Sequence, residues 1–309
     1  MAIKNLKSER HHWWPVCVSK HWKNDDGIVH WMLPDGSERA APPQNFGVIG
    51  NGHLIRLAGR RGEHSPWDEN FEQEYALADS SFPQVIEWLA GLSHQQLENP
   101  VTRANRFLSQ TASDQEIGLL VECLVSLAVR SPMNRAAAVG LAEKLRGPIP
   151  EPERSALVGS NMRRAHERAV RSIGTRGKFV VLFSREREFI FGDGFFHNIT
   201  SPGNAPYNPK ILAPITPEIS VLLVVPMQYS PDPRLTTIVV SVEEVDALNR
   251  TIQVYASDGL FYRNQKPELT EEFRLAKHCS YSHPGNPIET FIHSIPGVPP
   301  RDMTFDAFI

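Results

Sequence analysis

"RHHWWPV", residues 10–16, sets adjacent histidines against adjacent tryptophans almost at the start of a 309-residue chain. Histidine titrates near neutrality and ligates metals, so His11 and His12 are candidate catalytic groups. Neighbours on a strand point to opposite faces, which keeps the two imidazoles from readily serving one metal. Glu72 and Asp79 lie seven residues apart, two turns along one helix face. Carboxylates so spaced could hold Mg²⁺ or Mn²⁺, or divide acid and base roles. A solvated helix face looks the same.

Arg130 and Arg135 flank a helix break at Pro132. Guanidinium forks there could clamp a carboxylate or phosphate; equally, they could tie Glu72 and Asp79 down in ion pairs between helices. Asp193 stands in "GDG" after an apolar strand. Its flanking glycines allow close backbone approach, which makes it a candidate catalytic carboxylate and metal ligand, or a turn residue with no chemistry. Arg164, Arg168 and Arg171 form one helical row, a possible phosphate-backbone track. "HCSYSH", His278 to His283, offers nitrogen and sulfur ligands but no zinc spacing. Walker, HExxH, GxSxG and GxGxxG motifs are missing, so ATP-driven and serine-hydrolase chemistry is not expected.

Those side chains need elements to position them. A composition of 41% hydrophobic and 22% charged residues suffices for a sizeable core and argues against disorder. With a net charge of −3, any nucleic-acid partner must meet a local basic patch. No run approaches eighteen apolar residues and the first residues lack an apolar signal core, so a cytoplasmic protein without membrane contact is expected. Cys17, Cys123 and Cys279 share no CxxC spacing and read as packing thiols.

Residues 8–60 read as β-rich, with "PDG" and "NG" as two hairpin turns. Residues 66–173 read as helical. Ser65 caps the first helix with Pro66 at its first position, Ser113 and Glu116 form a capping box, and Pro132 stops the helix they open. Over 174–265, "KFVVLF", "FIFG", "SVLLVVPM" and "LTTIVVSV" predict a sheet, and "VEEVDALNRTIQVYA" a helix. Residues 266–309 read as a loop-rich tail. The expected architecture is one α+β domain over 1–309: an N-terminal β-hairpin region, a helical middle, and a C-terminal mixed or antiparallel sheet with a packed helix.

These landmarks, in this order, carry a resemblance. "HHWWPVCVSKHW" is similar to the "HHYVPQFYLRNF" opening of a bacterial family known as domain of unknown function 4238. "FEQEYALAD" resembles its paired-acid helix, here Glu72 and Asp79, and "RSPMNR" resembles its RTPxxR element, here Arg130, Pro132 and Arg135. "FIFGDGFF" stands where the family has "FITSDNPV", with Gly-Phe in place of Asn-Pro after Asp193. "APITPEISVLLVVP" and "EEVDALN…ASDGLFY" resemble its closing strand and helix. The likeness spans roughly residues 9–263, and the family name implies no activity.

Taken together, one or two His, three carboxylates and two Arg suit a metal-dependent phosphodiesterase or nuclease, used as a toxic or defensive effector. Mg²⁺ or Mn²⁺ would be the cofactor and nucleic acid the partner. The alternative is a non-enzymatic binding or interaction module whose charged residues are structural ion pairs.

Overall fold

The computed structural model describes residues 10–50, 54–55, 69–70, 72–95, 102–200, 208–281 and 286–300. The hairpin predicted at "PDG" is present. β2 (Val29–Met32) pairs antiparallel with β3 (Glu38–Ala41), and the Asp35 carboxylate closes the turn by accepting from the Ser37 amide at 2.8 Å. The second predicted hairpin is corrected. β4 (Val48–Gly50) pairs with β1 (Arg10–His12), and β5 (Leu54–Ile55) pairs with β6 (Glu69–Asn70). The "NG" turn itself lies outside the described residues.

α1 (Val16–Ser19) is a short turn after β1, and the helical middle follows. The predicted start at Ser65 and Pro66 lies outside the described residues. A 3-10 turn over Glu72–Tyr75 leads into α2 (Ala76–Ala90), and a short strand, β7 (Leu108–Gln110), comes next. α3 (Asp114–Arg130) opens with the predicted capping box. The Glu116 amide donates to Ser113 Oγ at 3.2 Å, and the Ser113 amide donates to the Glu116 carboxylate at 2.7 Å. Its buried run, including Leu120, Leu124 and Val125, contributes about 1.5–3 kcal/mol for each fully buried large aliphatic side chain. Ser131 is extended ahead of proline, so α3 ends there, and Pro132 opens α4 (Pro132–Arg146) as its first residue. α5 (Glu151–Ile173) packs against α3 and α4.

Five strands form a mixed sheet. β8 (Lys178–Phe183) lies at its centre, antiparallel to β11 (Ile219–Val224) and parallel to β12 (Leu235–Val239). β10 (Lys210–Thr216) and β7 occupy its two edges. Every residue of β8 is buried, as a strand covered on both faces requires.

A four-stranded sheet has the order β3-β2-β13-β9, where β9 is Phe191–Gly192 and β13 is Leu260–Tyr262. It unites the N-terminal hairpin with the C-terminal third of the chain, so the three predicted regions interleave. α6 (Val242–Tyr255) has a second capping box, Ser241 with Glu244. The loop-rich tail is corrected in part. α7 (Glu271–Arg274) and α8 (Pro287–Ile292) bury Phe273, Ile288 and Phe291, and Ile295 and Val298 follow them into the core. The result is α+β, as expected. No helix among the described residues is long and apolar enough to cross a membrane.

One buried histidine gives this fold a pH dependence. His197 is sealed beside β10, edge-on to Phe195 at 5.2 Å, and burial drives its pKa down to about 3. The folded protein therefore keeps this ring neutral over a range where the unfolded chain protonates it. Its contribution to stability is present above about pH 6.5 and is lost as pH falls toward 3, by up to about 1.4 kcal/mol per pH unit. His197→Phe is expected to flatten the acid limb in urea denaturations at pH 7.5, 5.5 and 4.5. An unchanged slope would contradict this assignment.

Candidate functional site

The paired-acid helix and the Arg-Ser-Pro break meet, and they neutralise each other. Arg130 Nη1 donates to Asp79 Oδ2 at 3.1 Å and Nη2 donates to Oδ1 at 2.5 Å. The guanidinium lies over the Tyr75 ring, 4.8 Å from its centroid, and only 1% of the residue is exposed. Arg130 is thus corrected from a ligand clamp to an interior strut between α2 and α3. Asp79 is corrected from a metal ligand to the partner of that strut. Cys17 and Cys123 donate to the carbonyls of Asp79 and Ala78 from the surrounding elements. Burial pushes both thiols up, which suits packing rather than reactivity. The side chain of Glu72 lies outside the described residues, as does that of His11.

Asp193 is held much more tightly than a turn residue needs. Its Oδ1 accepts from the amides of Ser257 at 2.9 Å, Asp258 at 3.0 Å and Gly259 at 3.3 Å. Oδ2 lies 3.0 Å from Ser257 Oγ, which is 3.1 Å from His278 Nε2. His278 Nδ1 donates to the Tyr255 carbonyl at 2.8 Å, so Nδ1 carries a proton. The serine hydroxyl has one proton and two acceptors to serve. Burial pushes the Asp193 pKa up, while His278 and the amides of residues 257–258 pull it down. Ser257 is buried between the carboxylate and the imidazole, so the trio latches the 257–259 turn to Asp193.

The latch exists because the backbones come very close. A Cβ on Gly194 would stand 2.1 Å from the Tyr255 carbonyl oxygen and 2.9 Å from Met133 Cβ. Only glycine lets "GDG" sit between the end of α6 and the start of α4, where the Met133 amide donates to the Asp193 carbonyl at 3.3 Å. The N-terminal corner is built in a similar way. Gly47 has φ +66°, and a Cβ there would meet Trp14 Cβ at 2.6 Å. Trp13 donates its amide to Gly47, and the Trp14 ring lies on Phe191, centroids 3.5 Å apart. Half-buried His12 turns Nδ1 to the Phe46 carbonyl at 3.2 Å. Much of "HHWWP" is therefore a packed corner.

That corner and the latch share an open cavity of about 320 Å³. Trp13, Pro132, Asp193 and Asp258, from four segments distant in sequence, all line it. Aromatic rings cluster along it: the buried Phe46 and Phe261 meet edge-on at 4.4 Å, with half-buried Trp31 at 5.7 and 6.3 Å from them. Arg39, Asn45 and Asp258 are exposed at its mouth. The cavity combines stacking surface, one cation and one accessible carboxylate.

The remaining predicted residues lie elsewhere. Arg135 is half-buried, with Nη1 3.4 Å from Met162 Sδ, and burial lowers its pKa. Arg164 and Arg168 face a separate cleft between α4 and α5, while Arg171 is exposed one turn further on. Among the described residues, no group of three or more His, Cys, Asp or Glu is placed to hold a metal ion.

Sequence reasoning missed Ser257, Trp31 and Arg39. "SDG" directly after a helix was a usable signal for the first, since a turn there presents successive amides to an acceptor. "HCSYSH" offered His278 without naming its partner. Comparisons with protein-family models, with curated proteins and with solved structures return no match for this chain.

Proposed function

We propose that this protein is a non-enzymatic binding module whose ligand seats a flat, nucleobase-like ring against Trp31, with Phe46 and Phe261 packed behind it. The observation that carries this reading is the open cavity that Trp31, the half-buried ring of the cluster, lines beside exposed Arg39 and Asp258, with the buried Phe46 and Phe261 backing it. Arg39 suits a phosphate and Asp258 suits exocyclic amines. The charges that a phosphodiesterase centre would use are engaged within the fold, Asp79 by Arg130 and Asp193 by its amides and Ser257. Membership of the family of unknown function 4238 is part of the same proposal, supported by "HHWWP", "RSPMNR", "GDG" and "SDGLFY" supplying walls of one cavity. A cytoplasmic, nucleotide- or nucleic-acid-binding role follows from this reading.

Base–aromatic stacking contributes about 1–3 kcal/mol per base. Equilibrium dialysis against the four nucleoside monophosphates should therefore show retention that Trp31→Ala weakens about 5- to 150-fold. Arg39→Ala should weaken the monophosphates more than the nucleosides. Absence of retention, or retention that Trp31→Ala leaves intact, would sink the proposal.

A second reading, a metal-dependent phosphodiesterase or nuclease acting as a toxic or defensive effector, is favoured by Asp193 and Asp258 lining one cavity beside the Trp13 corner. Mg²⁺- or Mn²⁺-dependent cutting of DNA, RNA or tRNA, lost in folded Asp193→Asn and Asp258→Asn proteins, would establish it. Lack of cutting with either metal would leave the binding module.

A further inference from the structure

We propose that the cleft between α4 and α5 is a second site, which binds an aliphatic amphiphile with one anionic head. The cleft has a volume of about 220 Å³, and its lining residues are separate from those of the cavity just described. Ala138, Leu141 and Leu157 give it an apolar trough, and Arg164 and Arg168 bring two guanidiniums to it from one face of α5. Residues four apart on a helix are neighbours, and both arginines line this cleft. Asn161, a turn earlier, donates its amide to the Ala138 carbonyl at 2.8 Å and ties the two helices together at the trough.

Two leucines of α4 stand exposed at and beside the cleft. Leu141 is 58% exposed and Leu145 76% exposed, successive positions on one face of α4. Exposed leucines scattered singly need no explanation, but two on one stripe beside a pair of arginines match the two ends of an amphiphile. A nucleic-acid backbone fits the trough poorly, because alanine and leucine offer it nothing to bond. A carboxylate or a phosphate monoester supplies the same chemistry: oxygens for the arginine forks and methylenes for the trough.

Calorimetric titration of the full chain tests this with octanoate, octyl phosphate, octanol and octyltrimethylammonium, each below its micelle concentration. Octanoate or octyl phosphate should bind, and the stronger of the two identifies the head. Octanol should bind at least tenfold more weakly, and the ammonium should not bind. Shortening octanoate to hexanoate should weaken it about tenfold. Arg164→Gln and Arg168→Gln should each weaken octanoate several-fold without changing the octanol titration, which a merely structural role would not produce. Arg168→Lys should retain most of the binding. Equal affinity for octanol and octanoate, unchanged octanoate binding in both glutamine variants, or no binding of either anion would each overturn the proposal.

Discussion

Asp79→Ala is expected to destabilise the protein by about 3–5 kcal/mol, while Arg130→Met is expected to cost distinctly less. The asymmetry follows from where the two charges sit. Arg130 is 1% exposed, whereas 38% of the Asp79 side chain reaches solvent. Deleting the acid strands a guanidinium in the interior beneath Tyr75. Deleting the base leaves a carboxylate that water can reach, and methionine refills most of the volume. Urea denaturation of both variants checks the order. Losses of only about 0–1 kcal/mol in both variants would mean that the pair is worth no more than an exposed ion pair, and the interior-strut assignment would fail.

Asp193→Ala is the second large effect, expected at about 4 kcal/mol or more, with Asp193→Asn costing roughly 1–2 kcal/mol. Alanine leaves the amides of residues 257–259 and the Ser257 hydroxyl without their acceptor. Asparagine retains one carbonyl oxygen for the three amides and loses only the charged half of the latch. The sign of the pH dependence separates the variants further. Burial raises the Asp193 pKa, so its contribution is fullest below the ordinary carboxylate range and declines as pH rises through the folded-state value. Asp193→Asn cannot ionise and should lose that decline. Thermal melts of the three proteins between pH 4 and 8 measure both quantities. If alanine and asparagine cost the same, the carboxylate's amide contacts do not hold the turn.

The features legible in the sequence were those set by short-range chemistry. Ser113–Glu116 capped its helix because the box is complete within four residues. "PDG" turned a hairpin because Asp35 could reach the Ser37 amide. Pro132 ended one helix and began the next because proline restricts the residue before it and suits a first turn. What the sequence hid was pairing at a distance. The "NG" stretch carries the same local signal as a hairpin, yet β4 found β1, since Trp14 and Gly47 interlock only in three dimensions. β10 escaped notice because Pro214 interrupts its pattern; it lies at a sheet edge, where proline is tolerated.

The site divided along the same line. Asp193 was recognisable because glycines flank it, and the alternative weighed for Arg130, an ion pair between helices, is the arrangement the fold adopts with Asp79. Ser257 and His278 were not recognisable as partners, since they lie 64 and 85 residues beyond Asp193. The aromatic cluster draws Trp31, Phe46 and Phe261 from two ends of the chain, so no window of sequence contains it.

The most direct test of the binding proposal is photocrosslinking of the intact protein to 8-azidoadenosine monophosphate, with the labelled peptide located by mass spectrometry. Labelling confined to the segments carrying Trp31, Phe46 and Phe261, and suppressed by unlabelled adenosine monophosphate, is the predicted result. Labelling on α4 or α5, or labelling that the unlabelled nucleotide does not suppress, would contradict it.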